Sequence, residues 1–326
     1  MRTTIRSPRR AAAGTQPTGT GRSPAGRRLR AARWLVLVVA VGAAIPATAN
    51  AGAAQTSAAA RPRVTGVVTT SDASDRDQQT IHRAEAACPP GKQVVGGGAK
   101  VSPTNELTRG VTLTRVEPVE RVSRDHSLQG YAVEARTVQP VNPEWSVTAY
   151  AICADPIPGH DIRVGYSNGG GFSSAEVQKA AASCPAGQRA VGSGAMIHYG
   201  GGRVGLQVAR PSGDGRLTRA QAHEVGSYTG TWRMNAYAVC VDQPEGYDVQ
   251  YGDSFADDSE RTKSATRTCS SGQRLGTAGA ITDVASGAVS LHSIYPYGNG
   301  GRVWAFENTD TSEDWDFIVA QVICVA

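Results

Sequence analysis

No stretch of this chain is apolar for long enough to cross a bilayer comfortably. The longest, Trp34 to Ile45, runs for about a dozen residues, against the ~20 that a spanning helix needs. Aromatic residues make up only 6% of the sequence, so a core must be built from Val, Ala, Leu and Ile. No two cysteines are near neighbours, which removes the close ligand pairs that structural zinc requires. Acidic residues and lysine are missing from residues 1–51, which carry nine arginines. Without that segment, 24 basic side chains face 28 acidic ones, a net of −4 in place of the +5 of the whole chain. The body therefore lacks the basic excess on which nucleic-acid binding depends.

What is present begins with an export layout. An arginine-rich region precedes the apolar run, and Ala47-Thr48-Ala49 and Ala49-Asn50-Ala51 follow it as small-x-small sites. This predicts a signal peptide over residues 1–51, cleaved after Ala51. An uncleaved anchor is the rival reading. Arg9-Arg10 and Arg27-Arg28 are not followed by the apolar pair of a twin-arginine signal, which favours the general export route. Residues 52–62 are Ala-rich with no periodic apolar face and are expected to be a disordered leader.

The remainder repeats three times. Cys88-Pro89-Pro90-Gly91 leads to Gly96-Gly97-Gly98-Ala99, Cys184-Pro185-Ala186-Gly187 to Gly192-Ser193-Gly194-Ala195, and Cys269-Ser270-Ser271-Gly272 to Thr277-Ala278-Gly279-Ala280. Each copy then carries Val-x-Leu with a Pro five places on: Val111, Leu113, Pro118; Val204, Leu206, Pro211; Val289, Leu291, Pro296. Alternating apolar residues predict half-buried strands, and the Pro marks where each leaves its ladder. A hairpin arm follows, with inner strands at 131–135, around 220–222 and at 303–306. Each copy closes on a Trp and a strand ending in Cys: Trp145 to Cys153, Trp232 to Cys240 and Trp315 to Cys324, the last one residue longer and expected to bulge.

One early and one late Cys per copy suggest the pairs Cys88–Cys153, Cys184–Cys240 and Cys269–Cys324, although six thiols allow many connectivities. The trio of tryptophans, equally placed, is expected in the core beside the disulfides. The joints echo one another too, Asp155 through Ile162 matching Asp242 through Val249, and 63–68 is expected to supply the matching strand of the first copy. Residues 63–157, 158–244 and 245–326 are thus three β repeats. Helix is scarce; only 174–182 could coil, and a strand fits there equally well. The predicted fold is all-β, three tandem repeats packed with pseudo-threefold symmetry as in a β-prism. Three separate β-sandwich-like modules are the alternative.

Cys-Pro-x-Gly, a Gly-rich strand and a strand ending on a second Cys, three times over residues 63–326, resemble a repeat common in secreted actinobacterial proteins. More distantly they resemble the vitelline membrane outer layer protein family, through Cys88-Pro89-Pro90-Gly91 and Cys184-Pro185-Ala186-Gly187 with their downstream glycines. The resemblance implies a threefold β-prism of Greek-key sheets and a rigid extracellular binding or coat protein.

Catalytic signals are weak. His82, His126, His160, His198, His223 and His292 have no metal-ligand spacing, although facing strands could join His198 to His292. Ser193 lacks the Gly-x-Ser-x-Gly elbow, and the third copy has Ala278 at the matching place in the sequence alignment. Gly96-Gly97-Gly98 and Gly169-Gly170-Gly171 lack the Lys-Ser/Thr of a phosphate loop; close strand packing explains them better. The acids Asp257, Asp258, Glu260 and Glu313, Asp314, Asp316 could hold calcium or serve a glycosidase, but read as solvated turns. Recognition is expected of the aromatics not echoed between copies: Tyr199, Tyr228, Tyr295, Tyr297 and Trp304, in or beside Gly-rich turns. The expected function is a secreted, non-enzymatic binding or structural protein for a surface glycan or an extracellular protein, with no cofactor, metal or nucleic acid. The alternatives are an extracellular glycosidase-like hydrolase and a protease inhibitor presenting the 212–216 loop.

Overall fold

The computed structural model describes residues 60–122, 127–258, 260–281, 286–310 and 314–326. The export segment, most of the leader and His126 lie outside the described residues. The rest is all-β. The first repeat supplies β1 (Val68–Ala73), β2 (Ile81–Ala87), β3 (Gln93–Ser102), β4 (Val111–Val122), β5 (Ser127–Thr137) and β6 (Ser146–Ala154). The second supplies β7 (Asp161–Tyr166), β8 (Val177–Ser183), β9 (Gln188–His198), β10 (Val204–Pro211), β11 (Leu217–Glu224) and β12 (Arg233–Asp242). The third supplies β13 (Asp248–Asp258), β14 (Thr262–Thr268), β15 (Gln273–Ile281), β16 (Val289–Tyr297), β17 (Gly300–Glu307) and β18 (Trp315–Val325). The 174–182 segment resolves into strand β8, whose alternating burial leaves every second side chain in the core.

These strands form three six-stranded sheets: sheet I, β1-β6-β3-β16-β17-β14; sheet II, β2-β5-β4-β9-β12-β7; and sheet III, β13-β18-β15-β10-β11-β8. No sheet belongs to one repeat. Each repeat gives its first, third and sixth strands to one sheet and its second, fourth and fifth to the next, and the exchange closes after three. The repeats are therefore interlocked, and separate modules are ruled out by the pairing itself: Ala99 with Ile294, Val116 with Ala195, and Val208 with Ala280 cross the repeat boundaries.

Two corrections of register follow. In β3, β9 and β15 the ladder to the closing strand slips at Val95, Val191 and Leu275, a bulge that points each of these apolar residues inward. Counting from that bulge, Gly276 is the counterpart of Gly96 and Gly192. The third copy is one residue shorter after its Cys, so the sequence alignment that sets Gly279 level with Gly98 is out by one. Thr277, not Ala278, stands where Ser193 stands. The extra residue near Trp315 does not bulge β18; the slip falls in β13, between Phe255 and Asp258. The strand expected at 63–68 is displaced along the chain: β1 begins at Val68, and buried Val64 packs into the core instead.

The local rules are legible. Pro89 O accepts from Lys92 N at 3.1 Å and Pro185 O from Gln188 N at 3.1 Å. Gly91 and Gly187 sit third in these turns at φ 80° and 88°, as a type II turn demands. This is why the motif is Cys-Pro-x-Gly. The joints are built alike: Asp155 accepts from Thr65 and Lys92 over Gly66, and Asp242 accepts from Gln188 over Gly159.

Gly-rich strands meet on the threefold axis. A Cβ on Gly96 would lie 2.5 Å from Leu275 O, one on Gly192 2.3 Å from Val95 O, and one on Gly276 2.3 Å from Val191 O. Each glycine thus presses on the backbone of the preceding repeat in cyclic order, which explains the small residues without any phosphate. Beside them, volumes compensate within each repeat. Gly97 faces the Tyr131 ring, while the equivalent positions hold Ser193 with Thr218 and Thr277 with Gly301. Val95, Val191 and Leu275 join Ile152, Val239 and Ile323 in an axial cluster, and a larger cluster fills the three sandwich interiors.

The three disulfides pair as expected, Cys88–Cys153, Cys184–Cys240 and Cys269–Cys324, each tying two sheets together within one repeat. Trp145, Trp232 and Trp315 are buried, 0–2% exposed. They are not beside the disulfides, however: eight or nine strand residues at ~3.3 Å each put them at the far end of the closing strand.

A second bulge recurs in β4, β10 and β16, at Thr114, Gln207 and His292. His292 is wholly buried, with Nε2 3.2 Å from Thr108 Oγ1 and its ring against Phe306. Burial pushes its pKa down to about 3. The unfolded chain, with a histidine pKa of ~6.5, takes up this proton first as pH falls. Stability is then complete above that value and is lost as pH falls toward about 3, by up to ~5 kcal/mol from this group. His292→Gln, which copies Gln207 in the equivalent bulge, is expected to lessen the loss. Urea unfolding of both proteins near neutral and mildly acid pH checks it.

Candidate binding faces

The pseudosymmetric frame leaves three outer faces with different chemistry. In sheet I, Tyr150, Tyr295, Tyr297, Arg302 and Trp304 share the solvent side. Tyr150 and Tyr295 stack at 6.2 Å, Tyr297 meets Tyr295 edge-on at 6.5 Å, and the Arg302 guanidinium lies 4.2 Å over Tyr297. Of these, Tyr295 is buried and Tyr297 half exposed, while Trp304 is stacked on buried Phe306. The face is flat, and its rings largely satisfy one another.

The face of sheet II is concave. The β9–β10 turn, Tyr199 through Gly202, overhangs β4 and β5 of the first repeat and encloses a cleft of about 440 Å³ lined by Arg83, Glu134, Arg136, His198 and Tyr199. Its floor is an ion-pair fork. Glu134 accepts from Arg83 Nε and Arg136 Nε at 2.6 Å each and from Thr114 Oγ1 at 2.8 Å. Burial alone would raise the Glu134 pKa, but hydrogen bonds from Arg136, Thr114 and Arg83 outweigh it and hold the carboxylate below its usual range. It is fixed as an anion and is no general acid. Burial, aided by Arg233, lowers the His198 pKa, so the imidazole is neutral near pH 7. His198 Nε2 is itself buried beneath the cleft surface.

Tyr199 forms the rim. It is the most exposed large apolar side chain among the described residues, at 76%, yet its backbone is left-handed, φ 62°, and Gly201 and Gly202 continue so at 57° and 75°. A bulky residue in this region costs about 1–2 kcal/mol. The conformation is held by Tyr228, whose hydroxyl donates to Tyr199 O at 2.8 Å, and by Arg203 N donating to Gly200 O at 2.7 Å. The Tyr199 ring meets Phe172, itself 48% exposed, edge-on at 5.3 Å, and the Arg233 guanidinium lies 5.0 Å over the Phe172 ring. An aromatic platform thus stands over a polar floor. Phe172, Arg83 and Arg136 escaped the sequence reading; only the pairing of β5 with β2 and β4 brings those arginines under the β9–β10 turn.

Of the five singled-out aromatics, Tyr199 lines the cleft of sheet II, Tyr228 braces it from behind through its hydroxyl, and Tyr295, Tyr297 and Trp304 lie on sheet I. His198 and His292 do not meet: His198 belongs to sheet II and His292 to sheet I. His82 packs on Trp145 at 4.2 Å, with Ser74 Oγ 3.2 Å from Nδ1 and Asp77 Oδ1 3.1 Å from Nε2. Ser74 Oγ also accepts from Val147 N, so this trio pins β1 to β6 and does not free a nucleophile. Ser193 is buried with its hydroxyl toward Ala209 O. Among the described residues no three His, Cys, Asp or Glu side chains converge as a metal site. The side chains of Asp257, Asp258, Glu313 and Asp316 lie outside the described residues. Among those described, no helix is long and apolar enough to cross a membrane.

No known family model matches the chain, and no curated protein matches it either.

Proposed function

We propose that this is a secreted, non-catalytic protein that binds carbohydrate at the cleft of sheet II. Three disulfides suit an oxidising, extracellular setting, and the export layout of residues 1–51 agrees with it. The observation that carries the reading is Tyr199: an exposed ring kept in a strained backbone at the mouth of a cleft floored by fixed polar groups. Sugar rings present apolar C–H faces that stack on aromatics, and hydroxyls that bridge planar, charged hydrogen-bonding groups. The Arg83–Glu134–Arg136 fork provides the second half of that recognition.

Tyr199→Gly separates binding from folding. The change removes the backbone strain and is expected to raise stability by about 1 kcal/mol while abolishing retention in affinity gels cast with neutral polysaccharides such as xylan, glucan and soluble chitin. Unaltered retention of the variant, or no retention of the parent in any gel, overturns the assignment.

A hydrolytic reading has one observation in its favour: Glu176 and Glu224 line a further cleft of about 560 Å³ with Tyr228. Glu224 Oε1, however, accepts from the indole N–H of buried Trp232 at 3.0 Å, which gives it a structural duty. Release of reducing ends, lost in Glu224→Gln, would replace the binding reading with this one. The inhibitor reading gains little, because 212–216 is a closed hairpin turn: Ser212 O accepts from Gly215 N, and Asp214 holds Ser212 Oγ and Arg216 N.

A further inference from the structure

Sheet III carries a chemistry that neither the repeat nor the carbohydrate cleft requires. Arg210 pairs across the ladder with Arg219, and Lys179 lies opposite Gln221, one row along on the same face. With Tyr166, from the neighbouring edge strand β7, these residues line a cleft of about 640 Å³. Gly165 permits the corner, since a Cβ there would lie 1.7 Å from Ala181 O.

No carboxylate among the described residues lines this cleft. Among the described residues, Lys179, Arg210 and Arg219 take part in no ion pair, although many other surface arginines do. Three like charges on one patch repel, and Arg210 is partly withdrawn from water. Burial lowers its pKa, Tyr251 opposes this, and Arg219 adds to it. A bound anion would return the solvation that Arg210 has lost. The fold does not demand the cluster. The positions equivalent to Arg210 and Arg219 hold Glu117 and Ala132 in the first repeat, and Tyr295 and Arg302 in the third. The body of the protein is net acidic, so the patch stands out against its surroundings, and it is one cleft wide instead of a continuous stripe. That size suits a few acidic groups spaced along a sugar chain better than a long phosphate backbone.

We propose that the Lys179–Arg210–Arg219 cleft is a second binding site, for the carboxylate or sulfate groups of an acidic polysaccharide. Arg210 and Arg219 offer paired planar donors to one acidic group, Lys179 serves a neighbouring one, and Tyr166 supplies an apolar wall for the sugar ring between them.

The test is affinity electrophoresis and titration of the intact, disulfide-bonded protein with three polymers: polygalacturonate for carboxylate, dextran sulfate for sulfate, and unmodified dextran as the neutral control. At least one acidic polymer is expected to bind, dextran not to, and the complex to dissociate in about 1 M salt, where the screening length is ~3 Å. Lys179 and Arg219 are exposed, so Lys179→Ala/Arg219→Ala should fold with an unchanged melting temperature and bind about tenfold more weakly or worse. Binding to whichever acidic polymer is stronger identifies the group recognised. Equal binding of dextran, no binding of either acidic polymer, unchanged affinity in the double variant, or tighter binding of single-stranded DNA than of both polymers would each overturn the proposal.

Discussion

Replacing Gly192 with alanine is expected to destabilise the whole protein by about 3 kcal/mol or more, with no change in the surface exposed on unfolding. The new Cβ would stand 2.3 Å from Val95 O and 3.0 Å from Gly96 Cα. Both are backbone atoms of another repeat, inside a ladder that is itself pressed against the third. Backbone at a shared axis cannot yield as a flexible side chain can, so relief requires the three sheets to move apart. The same reasoning covers Gly96 and Gly276. Gly171→Ala is the control: that backbone is extended, and its nearest contact would be an ordinary 3.4 Å. Urea midpoints of the two variants should separate clearly, Gly192→Ala falling and Gly171→Ala staying near the parent. Equal midpoints would mean that the axis is looser than its geometry implies.

Loss of the disulfides is the other large effect. Each closes 55 to 65 residues and should contribute about 4 kcal/mol by restricting the unfolded chain. Together they amount to about 12 kcal/mol, comparable with the total stability of most domains, ~5–15 kcal/mol. Cys184→Ala/Cys240→Ala is expected to leave a folded but weakened protein, its urea midpoint shifted by an amount equivalent to ~4 kcal/mol. Full reduction is expected to unfold it. The bridges act across sheets, Cys88 following a strand of sheet II and Cys153 lying in sheet I. Circular dichroism of the oxidised and reduced forms, with thiol counts, checks both outcomes. A fully reduced protein that keeps its strand signal would assign the stability to the interlocked sheets alone.

Much of this frame could be read from the chain because it is written three times. Repetition exposed the turn glycines, the Val-x-Leu strands, the cysteine partners and the joints, each of which serves a local geometric need. The exchange of half-sheets between repeats could not be read, since strand alternation is the same whichever neighbour a strand pairs with. The bulges at Val95, Val191 and Leu275 were hidden for a related reason: a bulge adds one residue without altering composition, and so the third copy was aligned one place out. At the candidate cleft, Tyr199 and Tyr228 were visible because they break the repeat beside a glycine turn. Arg83, Arg136 and Phe172 were not, because ordinary polar and apolar positions become a site only when two repeats are laid together. The basic patch of sheet III was masked by the nine arginines of the first 51 residues, which dominate any count of charge.

Calorimetry puts the interlocking to its most direct test. Because every sheet draws strands from two repeats, residues 60–326 should melt as one unit, with a van't Hoff enthalpy close to the calorimetric one and an unfolding enthalpy of about 180 kcal/mol near 60 °C. A van't Hoff enthalpy of roughly one third of the calorimetric value, the mark of three repeats unfolding independently, would contradict it.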